Sequence, residues 1–297
     1  MMTPEREPTT RRGFARRCLE GGAVAAGAAA LYGWRVEPHW VEETSVRMPL
    51  FELPDAWAGK RAVQISDLHV GPVVSRAYLS RALQRVRRLR ADLVFVTGDW
   101  MTCESTEQVG ATIDLLRGAG LPGPVFGSLG NHDYGGGFRR IDVADQLTSG
   151  LQSVGVEVLR NGHVELDGLQ VAGLDDLWAR RCRVAETIRR IDPYAAAVVM
   201  CHNPDGIDLP GWAGFRGWVL AGHTHGGQCR LPGIGAPVMP VRNRRYRAGA
   251  YDLGAGRRLY VNRAVGYTQR VRFLARPEIT VFELCRMTAA EARNAFG

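Results

Sequence analysis

The chain has 297 residues and a mass of 32.6 kDa, enough for one large domain with a short extra segment. Its 45% apolar and 23% charged residues are typical of a globular core and exclude a disordered or fibrous protein. The formal charge of +8 favours anionic partners, but Lys60 is the only lysine among the 38 basic residues. Because so strong a skew indicates codon composition as much as function, we interpret most arginines as solvated surface and not as a nucleic-acid footprint. The six cysteines form no CxxC pair, so we expect mostly free thiols in packed positions.

The first 34 residues have the pattern of a targeting segment. Paired arginines at Arg11-Arg12 and Arg16-Arg17 precede a Gly/Ala-rich stretch, Gly21–Trp34, which is shorter than the roughly 20 residues of a membrane-spanning helix. This arrangement resembles a twin-arginine export signal. We expect residues 1–34 to be a signal or membrane anchor and the protein to be exported or membrane-associated, in the periplasm or on the outer face of the cytoplasmic membrane. The alternatives are the cytoplasmic face of the membrane and a plain arginine-rich tail.

Strand and helix patterns alternate through the rest of the chain. Residues 35–60 are expected to form a linker with a lead-in strand, residues 61–286 the main domain, and residues 287–297 a C-terminal tail. Apolar, β-branched runs predict strands at Ala62–Ser66, Leu93–Thr97, Pro124–Leu129, Gln170–Gly173, Ala195–Cys201, Gly217–Ala221, Arg258–Asn262 and Ile279–Leu284. Helical periodicity predicts helices at Arg76–Arg90, Thr106–Arg117, Arg139–Ser153 and Arg183–Ile191. This alternation indicates an α/β fold.

Metal-competent side chains follow five of these strands at the point where each ends. They are Asp67 and His69, then Asp99, then Asn131, His132 and Asp133, then His202, and last His223 and His225. Open α/β sheets place ligand sites beyond the carboxyl ends of their strands. Five of the seven histidines belong to this set, a distribution that core packing does not explain. The sequence therefore predicts a metal site at one rim of the domain.

The motifs SDLHVG, GDW, GNHDY, CHNPD and AGHTHGG, in this order, resemble the calcineurin-like metallophosphoesterase superfamily over about residues 60–285. The closing stretch, from Val261-Asn262-Arg263 to Arg276-Pro277-Glu278-Ile279-Thr280, is similar to a bacterial branch of phosphodiesterases that carry twin-arginine signals or membrane segments. Relatives in that branch hydrolyse UDP-2,3-diacylglucosamine in lipid A synthesis. The resemblance implies a four-layer αββα sandwich with two central mixed β-sheets.

The resemblance also implies a role for each residue at the rim. Two divalent metal ions would be held by Asp67, His69 and His225 at the first site, by Asn131, His202 and His223 at the second, and by Asp99 at both. His132 would stay off the metals and act on the phosphate or the leaving group, and Asp133 is expected to orient His132. Every ligand position of the family pattern is filled in this sequence, so a metal-free scaffold is not expected.

The ligand types indicate which ions and which reaction to expect. Imidazole, carboxylate and amide ligands without thiolates favour Mn²⁺, Fe or Zn²⁺ over Mg²⁺. Two such ions neutralise the charge of a phosphate ester and lower the pKa of a bound water. We expect hydrolysis of phosphodiester or pyrophosphate bonds by a metal-bridging hydroxide, with His132 protonating the leaving oxygen. The preference between monoesters and diesters stays open.

The substrate is the least determined part of the prediction. Arg242 and Arg245 follow the last histidine motif and are expected either to bind phosphate or to lie in a solvated loop. Trp100, Tyr134 and Phe138 adjoin ligand residues and form either an apolar wall for a nucleoside or acyl group or packing beneath the site. A lipid-linked envelope precursor such as UDP-2,3-diacylglucosamine is the favoured substrate, and an anionic membrane surface is a further partner.

Two other function classes compete with this interpretation. A nuclease or nucleotide phosphodiesterase is disfavoured by export and by the lack of lysine-rich or aromatic-interleaved stretches. A non-enzymatic, membrane-associated scaffold is disfavoured by the complete ligand set. The sequence does not decide the oligomeric state.

Overall fold

Two six-stranded sheets lie at the centre of the residues that the computed structural model describes, 11–102 and 106–296. The strands are β1 (Glu42–Leu50), β2 (Arg61–Ile65), β3 (Leu93–Thr97), β4 (Val125–Ser128), β5 (Val156–Val158), β6 (Gly162–Leu166), β7 (Leu169–Gly173), β8 (Ala197–Met200), β9 (Gly217–Ala221), β10 (Gly249–Asp252), β11 (Arg257–Val261) and β12 (Glu278–Arg286). The first sheet has the order β1-β12-β2-β3-β4-β5 and the second β10-β11-β9-β8-β7-β6. Each sheet combines parallel pairs, such as β2 with β3 and β8 with β9, with antiparallel pairs, such as β12 with β2 and β6 with β7.

The two sheets pack face to face. Successive side chains of a strand point to opposite faces, so Leu93 and Phe95 of β3 lie in the core between the sheets while Val94 and Val96 face the helices outside. Leu220 of β9 meets the same inner core from the second sheet. Because both faces of the central strands are covered, these strands are continuous apolar runs, which is what the sequence presents.

Helices cover the outer faces unequally. The helices are α1 (Arg11–Leu31), α2 (Arg76–Arg88), α3 (Glu107–Ala119), α4 (Ile141–Ser153), α5 (Val184–Ile188) and α6 (Ala289–Phe296). The first sheet is covered by α2, α3 and α4, whereas the second is covered by the short α5 together with loop residues such as Trp212 and Phe215. The predicted α/β fold with two central mixed sheets is therefore confirmed, with an outer layer on the second sheet that is mostly loop.

The expected elements are present, with differences at edges and ends. All eight predicted strands and four predicted helices are found, and β1 is the expected lead-in strand. The last predicted helix ends at Ile188 rather than Ile191, because the main chain of Asp192 exchanges two hydrogen bonds with the side chain of Gln170 and leaves the helix axis. The short strands β5, β6 and β10 were not predicted.

Within the expected targeting segment, residues 1–10 lie outside the described part of the chain, and Arg11–Leu31 form α1, whose side chains are mostly exposed. Among the described residues, no helix combines the length and the apolar character needed to cross a membrane. Of the cysteines, Cys103 lies outside the described residues and the other five are free thiols. Cys201 is buried, but Cys18 in α1 is exposed, contrary to the expectation of packed positions.

Candidate metal centre

The predicted metal ligands come together where strands of both sheets end. In the first sheet, Asp67 and His69 follow β2, Asp99 follows β3 and Asn131 follows β4. From the second sheet, His202 follows β8, and His223 and His225 follow β9. Main-chain hydrogen bonds join these exits, because the N–H of Asp67 donates to Gly98 O at 3.0 Å and that of His69 to Asp99 O at 3.0 Å.

The first cluster consists of Asp67, His69 and His225, all buried, with their ligand atoms within 4.8 Å of one another. The Nε2 atoms of His69 and His225 are 3.1 Å apart, and His225 Nε2 lies 3.3 Å from Asp67 Oδ1. Asp67 is fixed by the main-chain N–H of His223, which donates to both of its carboxylate oxygens. The three side chains thus point their donor atoms at one small volume.

The second cluster consists of Asp99, His202 and His223. His202 Nε2 lies 3.3 Å from Asp99 Oδ2 and 3.2 Å from His223 Nδ1. Asp99 also reaches the first cluster, since the same Oδ2 lies 3.7 Å from His69 Nε2. One carboxylate therefore faces both clusters, which is the position that a bridging ligand occupies.

Hydrogen bonds from the far side of each ring fix which nitrogen faces the centre. His202 Nδ1–H donates to Thr97 O at 2.8 Å, and His223 Nε2–H donates to Pro240 O at 2.8 Å. A carbonyl can only accept, so the opposite nitrogens, His202 Nε2 and His223 Nδ1, are the ones available to a metal. Such outer hydrogen bonds are usual for histidines that bind metals.

Burial and charge set the protonation states of the residues in the clusters. Burial lowers the pKa of His69 and of His223 to about 3, so both rings are neutral at pH 7. Burial also acts to raise the pKa of Asp99, but the neighbouring His202 outweighs this effect and holds it well below its usual value. Burial acts to lower the pKa of His202, but the charge of Asp99 keeps it well above its usual value. A divalent ion would displace that proton.

Buried polar atoms without a hydrogen-bond partner mark places where a metal ion would satisfy the protein. Asn131 Oδ1 is such an atom, and it belongs to the side chain predicted to complete the second site. An unpaired buried amide oxygen costs about 1–3 kcal/mol unless a ligand satisfies it. Together with neutral imidazoles and ionised carboxylates, it makes the residues present fit two divalent ions of the Mn²⁺, Fe or Zn²⁺ type.

The main chain at the site is strained. Five of the predicted ligands have φ between 50° and 67°, namely Asp67, His69, Asp99, His223 and His225. Each non-glycine residue held in this region costs on the order of 1–3 kcal/mol, and such residues are common at functional sites. The strain is a further reason to assign these residues to function and not to packing.

His132 and Asp133 differ from the other rim residues in their contacts. The N–H of His132 donates to Asp99 Oδ1 at 2.9 Å, and its half-buried ring lies 5.0 Å from the His69 ring. The ring is outside the second cluster, but its ligand atom lies within 4.8 Å of those of His69 and Asp99, so these three residues form a further group that could hold a metal ion. The Asp133 oxygens accept from the main-chain N–H groups of Gly130 and Met101 at 2.8 and 3.2 Å. Asp133 therefore positions the loop that carries Asn131 and His132. The expected orientation of His132 by Asp133 would therefore act through the main chain of this loop, since the hydrogen bonds of the Asp133 carboxylate are with main-chain N–H groups.

Several residues that support the site were not predicted. Ser66 Oγ lies within hydrogen-bond distance of two acceptors for its single hydrogen, Asp67 Oδ2 and Thr97 O, and Thr102 Oγ1 lies 2.8 Å from His69 Nδ1. The only indication of Ser66 and Thr102 in the sequence was that they lie close to Asp67 and Asp99. Trp178 packs edge-on against His223 with ring centroids 4.6 Å apart, and no motif marked it.

Two cavities open at the site and differ in character. One, of about 460 Å³, contains Asp99, Asn131, His132 and His223 and has an apolar wall that includes Val238. The other, of about 620 Å³, is lined by arginines, namely Arg139, Arg180 and Arg242, and by Phe138 and Trp178. The Phe138 and Trp178 rings lie 5.6 Å apart, and Trp178 borders both cavities, so this pair divides them.

Some of the residues that were predicted to contact the substrate line a cavity, and the others do not. Arg242 lines the arginine cavity, whereas Arg245 lies over the ring of Tyr246 and lines neither cavity. Trp100 and Tyr134 are fully buried and form packing beneath the site. Of the three aromatic candidates, Phe138 alone lines one of these cavities.

Comparisons with known proteins agree with this geometry. The model of the calcineurin-like phosphoesterase family matches residues 60–227. The uncharacterized metallophosphoesterase YkuE of Bacillus subtilis is 34% identical, with 90% of this chain and 93% of the relative covered. Phosphodiesterase YaeI of Escherichia coli is 30% identical over 91% of this chain and 98% of its own length. UDP-2,3-diacylglucosamine pyrophosphatase LpxG of Chlamydia muridarum is 26% identical over 87% of this chain and 93% of its own length.

Both the family match and the identities to these relatives extend over the strand exits that carry the His and Asp clusters. The His and Asp side chains of the clusters could hold metal ions. The chain therefore belongs to the calcineurin-like phosphoesterase family and is a metal-dependent phosphoester hydrolase.

Proposed function

We propose that this enzyme hydrolyses a phosphodiester or pyrophosphate bond in an amphipathic envelope precursor, of which UDP-2,3-diacylglucosamine is an example. The observation that carries the proposal is a pair of unlike cavities, one lined by residues of the metal clusters and the other adjoining it at Trp178. A diester or pyrophosphate has two substituents, whereas a monoester has one. Cavities on either side of the Phe138–Trp178 pair would accept one substituent each.

The arginine cavity suits the anionic substituent. No hydrogen bond or ion pair of the side chains of Arg139, Arg180 or Arg242 is found within the described part of the chain. The two carboxylates of the cavity are already occupied, since Asp205 accepts the N–H groups of Arg242 and Asn243, and Asp208 accepts the Asn243 amide. The three guanidinium groups have no ion pair among the described residues and outnumber the two carboxylates, so they favour a second phosphate.

The other cavity suits an apolar substituent. Its wall beyond the metal ligands contains Pro237, Val238, Pro240 and Val271. A glycolipid with acyl chains would place apolar atoms there, and the similarity to a pyrophosphatase named for a diacylated sugar nucleotide supports this choice.

The residues would share the chemistry as follows. Asp67, His69 and His225 would hold one divalent ion and Asn131, His202 and His223 the other, with Asp99 bound to both. The ions would neutralise phosphate charge and lower the pKa of a bound water. His132, whose half-exposed ring lines the cavity, would protonate the leaving oxygen. Buried His69 and His223 would stay neutral and leave the proton transfer to His132.

We also infer that the enzyme acts outside the cytoplasm or at the membrane. The support is the pair of double arginines before the Gly/Ala-rich stretch of α1. Export of a fusion to a reporter that is active only in the periplasm, compared with Arg11→Lys/Arg12→Lys, tests this inference. Equal export of both forms would contradict it.

The reaction is tested with metal-reconstituted enzyme on three substrates: bis-(p-nitrophenyl) phosphate, p-nitrophenyl phosphate and UDP-2,3-diacylglucosamine. We expect turnover of the diester and the pyrophosphate and little turnover of the monoester. A preference for the monoester would contradict the proposal.

The anionic subsite is tested with Arg242→Ser and, as a matched control, Arg245→Ser. Loss of one guanidinium–phosphate contact should raise KM for UDP-2,3-diacylglucosamine about tenfold in Arg242→Ser. The bis-(p-nitrophenyl) phosphate KM should not change, because that substrate has no second phosphate. An equal effect of both variants would show that the arginine cavity does not bind the substrate.

A further inference from the structure

Exposed apolar side chains gather on one edge of the molecule. Thirteen large apolar side chains are exposed among the described residues, and eight of them lie in three segments: residues 21–36, the loop 228–240 and the loop 268–275. Six of the eight, which we name the apolar rim, are Leu31, Trp34, Leu231, Ile234, Val238 and Leu274. The most exposed are Val238 at 79% and Ile234 at 73%. Grouped exposure of this kind marks an interaction surface.

The three segments touch one another. Arg272 N–H donates to Gly33 O at 2.8 Å, and the ring of Tyr32 packs edge-on against that of Phe273 at 6.4 Å. Arg230 N–H donates to Phe273 O at 2.7 Å, which joins the loop 228–240 to the loop 268–275. The rim is therefore one surface built from parts far apart in the sequence.

The rim is supported from beneath by buried charges. Arg272 is fully buried, and its guanidinium donates to main-chain carbonyls that include Gly266 O at 2.7 Å and Ala275 O at 2.8 Å. The buried Glu37 accepts the N–H groups of Leu274 and Ala275. These contacts fix the main chain so that Leu274 points outward. The exposure of the rim is thus a property of the fold.

The charge around the rim has one sign. Of the charged side chains in residues 21–37, 228–240 and 268–276, Glu37 and Arg272 are buried, and those that reach the surface are all arginines, namely Arg35, Arg230, Arg270 and Arg276. The guanidinium groups of Arg35 and Arg270 lie 5.0 and 5.7 Å from the ring of Trp34. A half-exposed tryptophan between arginines suits the level of anionic lipid headgroups, and the exposed aliphatic side chains beside it suit the acyl chains. The rim therefore has the composition of a surface that lies at this boundary of a bilayer.

The rim also borders the catalytic cavity. Val238 belongs to both, and Thr268, Gln269 and Val271 from the loop 268–275 line the cavity. We propose that the apolar rim docks the enzyme on an anionic phospholipid bilayer, with the cavity opening onto the headgroups. This proposal rests on the proposed function in one respect, since a lipid-linked substrate is the reason that docking would be useful. Docking itself is measured by vesicle binding and does not require turnover.

The test is binding of the full chain to vesicles of phosphatidylcholine alone or with phosphatidylglycerol, measured by co-sedimentation. We expect binding to the anionic vesicles that weakens with added salt. Ile234→Asp should lower the partition coefficient about tenfold or more, because it replaces an inserted apolar group with a charge opposed to the headgroups. The matched control is Tyr194→Asp, since Tyr194 is 71% exposed but precedes the opposite end of β8.

Turnover of the soluble bis-(p-nitrophenyl) phosphate should be the same in Ile234→Asp and the unsubstituted enzyme. Its absence in both would count against the proposed function and leave the docking result standing. Absence of vesicle binding, or equal loss in Ile234→Asp and Tyr194→Asp, would overturn the docking proposal. The docking proposal would also be overturned if the chain did not bind vesicles but self-associated, and if Ile234→Asp abolished that self-association. The rim would then contact a second copy of the chain.

Discussion

Gly130 is the residue whose enlargement should disturb the metal centre most directly. It precedes Asn131 and has φ −110° and ψ 178°, a conformation that alanine adopts without strain. A Cβ at this position would lie 2.2 Å from Asp99 Oδ1 and 2.5 Å from Asp99 N. Gly130→Ala therefore leaves the main-chain conformation allowed and fills the space beside the Asp99 carboxylate, which faces both clusters.

The size of the effect follows from these distances. An ordinary contact needs about 3.4 Å, so the Asp99 side chain or the loop must shift by roughly 1 Å. Overpacking of this kind lowers the free energy of unfolding by about 1–3 kcal/mol. A displacement of about 1 Å at a reacting centre lowers turnover about a hundredfold. Asp99 Oδ1 also accepts the His132 N–H, so a shift of Asp99 would move both the metal ligands and His132.

Three measurements separate these effects: denaturant unfolding of the metal-free protein, metal content by elemental analysis, and turnover of bis-(p-nitrophenyl) phosphate. We expect Gly130→Ala to bind fewer than two metal ions per chain and to lose about a hundredfold in turnover. The control is Gly136→Ala in the same loop, where an added Cβ meets nothing within 4 Å. If Gly130→Ala retained two ions and turnover within about twofold of the control, the assignment of Asp99 to both metal sites would be refuted.

Three further predictions concern single side chains. His132→Ala should lose about 10²–10⁴ in turnover with metal content near that of the unsubstituted enzyme, and full activity would reject its role as proton donor. Asp99→Asn should lower metal content, because the amide offers one neutral oxygen where the carboxylate offers two charged ones; unchanged stoichiometry would contradict a bridging role. Burial raises the pKa of Asp176 to about 6 from its usual 3.8, so ionisation of this group opposes folding as the pH rises from about 4 to 6. In the metal-free protein, Asp176→Asn should therefore gain stability relative to the unsubstituted chain over this range, reaching roughly 1–3 kcal/mol above pH 6, and a difference independent of pH in denaturant unfolding would argue against it.

Most of the fold could be predicted because the central strands are long apolar runs whose pattern is local. β3 and β9 are buried on both faces, so their sequences are apolar throughout and end sharply at Gly-containing motifs. The short β5 and the alternating β6 lie at sheet edges, where pairing depends on partners distant in the chain. Their local patterns are too weak to predict them.

The candidate ligands were predictable for a related reason. Each follows a strand directly, so the sequence order of strand and polar residue already places it at a rim. The supporting contacts were not predictable, because they join residues from different loops. Trp178 meets His223, and Pro240 accepts from His223, only after the loops that follow β7 and β9 have come together at one end of the second sheet. The main-chain role of Asp133 depends in the same way on Met101 from a neighbouring loop.

The sequence by itself determined the chemistry of this protein, since the types of ligand and their positions at strand ends are local properties. The tertiary structure alone decided what surrounds that chemistry. It placed Arg242 at the wall of a cavity but kept Arg245, three residues further on, away from both cavities. It also brought α1 and two distant loops together in the apolar rim. The physical reason is that cavities and surfaces form between segments whose approach is set by packing of the two sheets, and no single segment carries that information.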